Sequence, residues 1–222
     1  MLKRVRCRGQ ARAIPESRSP GTGEARISFH PSTRRAEAGK LKRWIKLSVL
    51  VLATGALLGF AMNVSDNRLE ELARTGRIQE DAPVKAACSI TVHAPPEKVW
   101  RLLTDIADWP KWQPEIGRTE IDRSPTGDPL ESGTAFSWRL GGSNIRSRIA
   151  LVEPNDRLVW TGKAYGARAI HMWKLERLPG DLTQVTTNES MDGPLLGLFY
   201  SSKKLQESNQ SWLEALKRAA EE

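Results

Sequence analysis

Reactive side chains are scarce in this chain of 222 residues, and each scarcity removes a class of function. Two cysteines, Cys7 and Cys88, cannot build a disulfide framework. Three histidines, His30, His93 and His171, lie scattered, with no spacing that would hold a metal ion. No GxSxG elbow, Walker loop or GxGxxG turn occurs, which removes the usual signatures of hydrolases, NTPases and dinucleotide enzymes. Internal repeats are missing too, and no resident metal or cofactor is expected. Charge is absent from one long stretch: residues 47–65 (LSVLVLATGALLGFAMNVS) contain no Asp, Glu, Lys or Arg.

Such a run suits a bilayer. A helix satisfies its own backbone groups where water is lacking, and roughly 20 apolar residues reach across. Residues 44–65 are expected to form a single transmembrane anchor, with Trp44 at the interface and Lys46 snorkelling from it. A cleaved signal peptide competes with this reading. The long N-terminal extension opposes it, and Gly59-Phe60-Ala61 is a poor cleavage site. Arg34, Arg35, Lys40, Lys42, Arg43 and Lys46 precede the run, against Arg68, Arg74 and Arg77 after it. The richer side stays in the cytoplasm, so the C-terminal domain is expected outside it, on the periplasmic side in a bacterium. Gly55 and Gly59 have the GxxxG spacing through which two copies would form a weak homodimer.

Charge is distributed unevenly. Of the formal +8, residues 1–46 hold +10 (13 Lys and Arg against Glu16, Glu24 and Glu37) and the rest −2. The basic character belongs to the tail, so no nucleic-acid partner is expected for the folded part. Residues 1–43 lack a hydrophobic period and are expected as a disordered tail, 66–85 as a linker and 86–222 as the folded domain.

Within that domain, 88–92 alternates as a first strand. Val99, Leu102, Leu103 and Ile106 then share one helical face, after prolines tolerated at the helix start. Strand candidates follow at 117–123, 134–140, 144–153, 157–165, 168–178 and 183–191, separated by turn residues such as Gly141-Gly142 and Pro154-Asn155-Asp156. Beyond Gly193-Pro194, Leu198, Ser202, Leu205, Asn209, Trp212, Leu213 and Leu216 form one mostly apolar helical stripe.

The segment Ala94-Pro95-Pro96-Glu97-Lys98-Val99-Trp100, running on to the turn Trp109-Pro110-Lys111-Trp112, resembles the START-like (SRPBCC) superfamily. That group includes polyketide cyclase/dehydrase and lipid-transport proteins. Over residues 86–220 the resemblance implies an α+β helix-grip fold: the seven strands curved antiparallel around the long C-terminal helix, with an apolar cavity between. The implied partner is a small hydrophobic molecule such as a lipid, an isoprenoid or a polyketide-like compound.

Trp138, Trp160 and Trp173 lie in separate strands with apolar residues two positions away, so each set occupies one face. Such rings either fill a core or line a cavity. Under the resemblance, Trp109, Trp112, Phe136, Trp138, Trp160, His171, Trp173, Glu189 and Phe199 are the candidate ligand-binding residues. The Trp109–Trp112 turn is either a gate or a latch. His171 and Glu189 fall in phase with the apolar faces, as a ligand-binding pair, an acid–base dyad or two groups that satisfy each other. Three functions follow: a tethered binding module, a cyclase or dehydratase working through His171 and Glu189, and a structural module.

Overall fold

The computed structural model describes residues 32–122, 130–194 and 196–222, with side chains from 43 onward except 56–64. The chain divides into two units, Met1–Thr54 and Gly55–Glu222. Helix α1 (Ser32–Arg74) already occupies residues 32–43, expected as tail. Arg34-Arg35-Ala36-Glu37-Ala38 and, past Gly39, Lys40-Leu41-Lys42-Arg43 are good helix formers, which favours extending the helix backwards from the apolar run. In the first unit Trp44, Leu47 and Val49 are exposed. Among the described residues no helix is long and apolar enough to cross a membrane. The second half of the uncharged run, including Gly59, lies outside the described side chains.

The second unit is built on seven antiparallel strands: β1 (Val84–Val92), β2 (Ile116–Asp122), β3 (Ala135–Leu140), β4 (Ser143–Glu153), β5 (Arg157–Ala164), β6 (Ala167–Leu178) and β7 (Leu182–Asp192). They lie in the order β1-β7-β6-β5-β4-β3-β2. The sequence-expected strands differ from these by a few residues at their ends. Register shifts at Ile116/Thr119 and Ile149/Leu151 put bulges into the sheet, and bulges bend the strands that carry them. Between β1 and β2 run α2 (Pro96–Thr104), a 3-10 turn (Ile106–Asp108) and α3 (Trp109–Trp112). A short α4 (Leu196–Phe199) precedes α5 (Ser202–Glu221), whose start is capped by the Ser201 hydroxyl accepting from the Lys204 N–H at 3.3 Å.

Helix α5 lays Leu205, Asn209, Trp212, Leu213 and Leu216 against the inner face of the sheet. Trp109 sits at the centre of that core. It meets Trp212 edge-on at 5.2 Å and Phe136 at 5.7 Å, and tilts against Trp160 at 5.5 Å. Its indole N–H donates to the Leu103 carbonyl at 3.1 Å, so the ring is buried without an orphaned donor. The grip therefore closes mostly on aromatic rings.

The outer face of the sheet is covered as well. Leu69 and Ala73, in the last turns of α1, are buried against Val159 and Ile170. Residues 66–82, expected to be part of a linker, thus contribute a second small core. This cover explains why β5 is buried on both faces from Leu158 to Gly162.

Candidate functional site

Directly opposed residues of antiparallel strands point to the same face. The register therefore aligns Ala86, Glu189, His171, Trp160 and Ile149 in one row across β1, β7, β6, β5 and β4, all facing α5. On one side of that row the inner residues are large: Leu158, Trp173 and Leu175. On the other they are small: Gly162, Ala164, Ala167 and Ala169. Side-chain volume runs out at the β5–β6 hairpin, and a cavity of about 90 Å³ remains there beneath the start of α5. A Cβ at Gly162 would stand 3.5 Å from both Ile145 Cγ2 and Ser147 Oγ, so the glycine leaves a real margin of space.

Trp138, Trp160 and Trp212 wall the cavity, with His171, Glu189 and Asn209 among its polar groups. His171 is buried, and its Nε2 lies 2.7 Å from the Thr187 hydroxyl. Its ring stacks on Trp173 at 5.2 Å and tilts against Trp160 at 4.7 Å. His171 Nδ1 stands 3.6 Å from Glu189 Oε2, too far for a hydrogen bond. Burial drives the two groups apart electrically. It lowers His171 from 6.5 to about 3 and raises Glu189 from 4.5 to about 8, the latter against the opposing influence of the nearby Asn209 amide. Near neutral pH the site thus holds a neutral imidazole and a neutral carboxylic acid. Such an acid can donate a hydrogen bond or a proton, but an imidazole this acidic is a poor base.

The structure brings together four of the residues expected at a site: Trp138, Trp160, His171 and Glu189. Trp109, Phe136 and Trp173 instead fill the core beneath the cavity. Trp112 is half-buried on α3, 5.9 Å from Trp212, so the Trp109–Trp112 turn is pinned into the core by its rings. Phe199 is 75% exposed and does not line the cavity. The helical stripe breaks at Tyr200-Ser201, and α4 turns Phe199 away from the phase that α5 begins.

Tyr200, Ser208 and Asn209 line the cavity without having been expected there. Asn209 was visible in the stripe of α5, and the small residues at 162, 164 and 169 in the inward phase marked the hollow end. A larger groove of about 550 Å³, bordered by Glu70, Glu120, Arg146, Arg148 and Lys163, has charges of both signs and lies open to solvent.

A family model described as polyketide cyclase/dehydrase and lipid transport matches residues 83–221. No curated protein matches the sequence. Among solved structures, the chain is similar to a hypothetical protein from Helicobacter pylori, with 21% identity and a TM-score of 0.57 over 64% of this chain and 90% of that one. It also resembles the Zhui aromatase/cyclase from Streptomyces sp. R1128, with 17% identity and a TM-score of 0.50 over 62% of this chain and 93% of that one. At these identities the likeness is one of fold.

Proposed function

The chain belongs to the polyketide cyclase/dehydrase and lipid-transport family, and from that premise we propose that it is a membrane-tethered module that binds one end of a small hydrophobic molecule. The cavity under α5 carries this reading. Its walls are aromatic, its floor is made of glycine and alanine, and its few polar groups converge, which is the usual composition of a small-molecule site. Its volume sets a limit. About 90 Å³ is well under the roughly 300 Å³ at which drug-sized pockets begin. A ligand therefore inserts end-on, and the remainder passes out between the β5–β6 hairpin and the start of α5. Exposed Tyr165, Leu198 and Phe199 give that end of the domain an apolar rim.

Residues 44–65 serve as the anchor in this reading, preceded by the basic tail of 1–43, with domain 86–222 outside the cytoplasm. Asp66 comes one residue after the uncharged run. It pairs with Lys163 at 2.7 Å and with Arg168 at 3.2 Å, two residues of the cavity wall. That contact ties the residue after the run to the β5–β6 hairpin. The Gly55–Gly59 spacing would allow pairing of two anchors.

A cyclase or dehydratase is the second reading, favoured by a Glu189 held protonated as a proton donor. His171 is too acidic to act as the matching base, so binding is preferred over chemistry. The test is to purify the full chain from membranes in detergent, extract it, and identify small molecules by mass spectrometry. A stoichiometric apolar compound that also raises the thermal midpoint on re-addition is expected, since a ligand bound only to the folded state stabilises by mass action. A chain that yields nothing and shows no shift with any apolar compound would refute the binding role.

A further inference from the structure

One buried donor in the cavity lacks the partner that burial demands, and a carboxyl group stands beside it. Asn209 is 2% exposed, and among the described residues its Nδ2 donates to nothing. The Glu189 carboxyl, on β7, lies close enough for the Asn209 amide to favour its charged form but not within a hydrogen bond of ordinary length, and it stands 3.6 Å from its histidine neighbour. A buried donor without a partner has lost its hydration with nothing in return. An unpartnered amide beside a carboxyl group at one small void is accounted for by something that normally occupies it.

We propose that Asn209 Nδ2, from the helix, and the Glu189 carboxyl, from the sheet, clamp the oxygen of a neutral carbonyl group, so that the ligand is a ketone, ester or amide. This rests on the binding role proposed above and names the chemistry of the inserted end. A carbonyl oxygen has two lone pairs and accepts from both donors at once. The ligand's adjoining carbons then meet Trp138, Trp160 and Trp212.

A carboxylate is the wrong occupant. The cations on the wall, Lys163 and Arg168, are already paired with Asp66, and Arg168 with Asp192 as well. The titratable groups facing Glu189 are His171 from β6 and Tyr200 ahead of α5. His171 gains charge only in strong acid, and burial together with Glu189 raises Tyr200 above its usual value of 10. Neither changes charge between pH 6 and 9, so a change in binding across that range reports Glu189.

The experiment compares three probes of similar size on the full chain in detergent: butanone, propionate and cyclopentane, each titrated by thermal midpoint and by ligand-observed NMR. Butanone is expected to bind about tenfold more tightly than either of the others, and Asn209→Leu to lose about that factor for butanone alone, as one hydrogen bond to a buried group is worth. In the wild type, butanone affinity falls several-fold as Glu189 ionises near pH 8, and Glu189→Gln flattens that profile. If Asn209→Leu does not fold, the pH profile of the wild type against Glu189→Gln decides alone. Equal binding of butanone and cyclopentane would overturn the clamp while leaving an apolar binding site. Equal or tighter binding of propionate would overturn the neutral-carbonyl assignment. No binding of any probe, with a crystal structure showing ordered water on both groups, would overturn the clamp and the binding role together.

Discussion

Glu189 and His171 respond to the same apolar wall by giving up opposite charges, and the consequence is readable in stability. The folded chain refuses a proton on His171 until about pH 3, whereas the unfolded chain takes it up below 6.5, so this group's contribution is present above 6.5 and lost as the pH falls toward 3. Glu189 works the other way. The folded chain keeps its proton up to about pH 8, while the unfolded chain releases it above 4.5, so this contribution is present below 4.5 and lost as the pH rises toward 8. Between 4.5 and 6.5 the two slopes oppose each other, and the pair adds little pH dependence. Above 6.5 the glutamate acts alone, with a limiting slope of about 1.4 kcal/mol per pH unit. Urea midpoints of the wild type should therefore decline from pH 6.5 to 8 relative to Glu189→Gln, whose amide does not titrate. Parallel profiles for the two proteins would mean that Glu189 is already ionised in the fold. This pair was legible in the sequence, because period-two phase placed both residues with the tryptophans. Asn209 was not, since helical phase alone cannot tell an amide facing a void from one closed into a core.

Strand spacing and turn residues make the sheet legible at the scale of elements, while the way each face is covered depends on partners distant in sequence. The run Leu158-Val159-Trp160 carried a hint, since a strand apolar at successive positions is buried on both sides. What covers the outer side is the end of α1, through Leu69 and Ala73. Leu69→Ala should lower stability by about 2–3 kcal/mol, measured as a lower urea midpoint with an unchanged slope. An unaltered midpoint would show that α1 is not docked there in solution. By the same logic, a chain beginning at residue 84 would expose Val159 and Ile170 and aggregate more readily than one beginning at 66. A second close contact holds the cavity end together: a Cβ on Gly193 would come within 2.8 Å of the Gly166 carbonyl oxygen and 2.9 Å of Ala167 Cα. Both neighbours are backbone and cannot swing aside. Gly193→Ala should therefore push the segment before α4 off the β5–β6 hairpin, costing about 1–3 kcal/mol and weakening any ligand held there. A variant with wild-type stability would show that the hairpin tip yields freely.

The molecule as a whole pairs a domain of known architecture with a length of chain whose meaning lies in its charge. Resemblance and pattern together gave the architecture, but not the size of the hollow. That volume depends on how Phe136, Trp138, Trp160 and Trp212 interlock around Trp109, which no alternation of apolar residues encodes. Charge, by contrast, can be read directly, with +10 in residues 1–46 and −2 in the remainder. If 44–65 is a retained anchor, the basic flank stays inside and the domain is delivered outside. The full chain should then remain with membranes after an alkaline carbonate wash, and protease added to right-side-out vesicles should digest the domain, while inverted vesicles protect it. Neutralising Arg34, Arg35, Lys40, Lys42, Arg43 and Lys46 together removes the excess on the N-terminal flank, so a substantial fraction of that variant should become protected in right-side-out vesicles. Recovery of the wild type in the soluble fraction, with a mature N-terminus just beyond Ala61, would show instead that the run is a cleaved export signal, and the membrane tether would lose its basis.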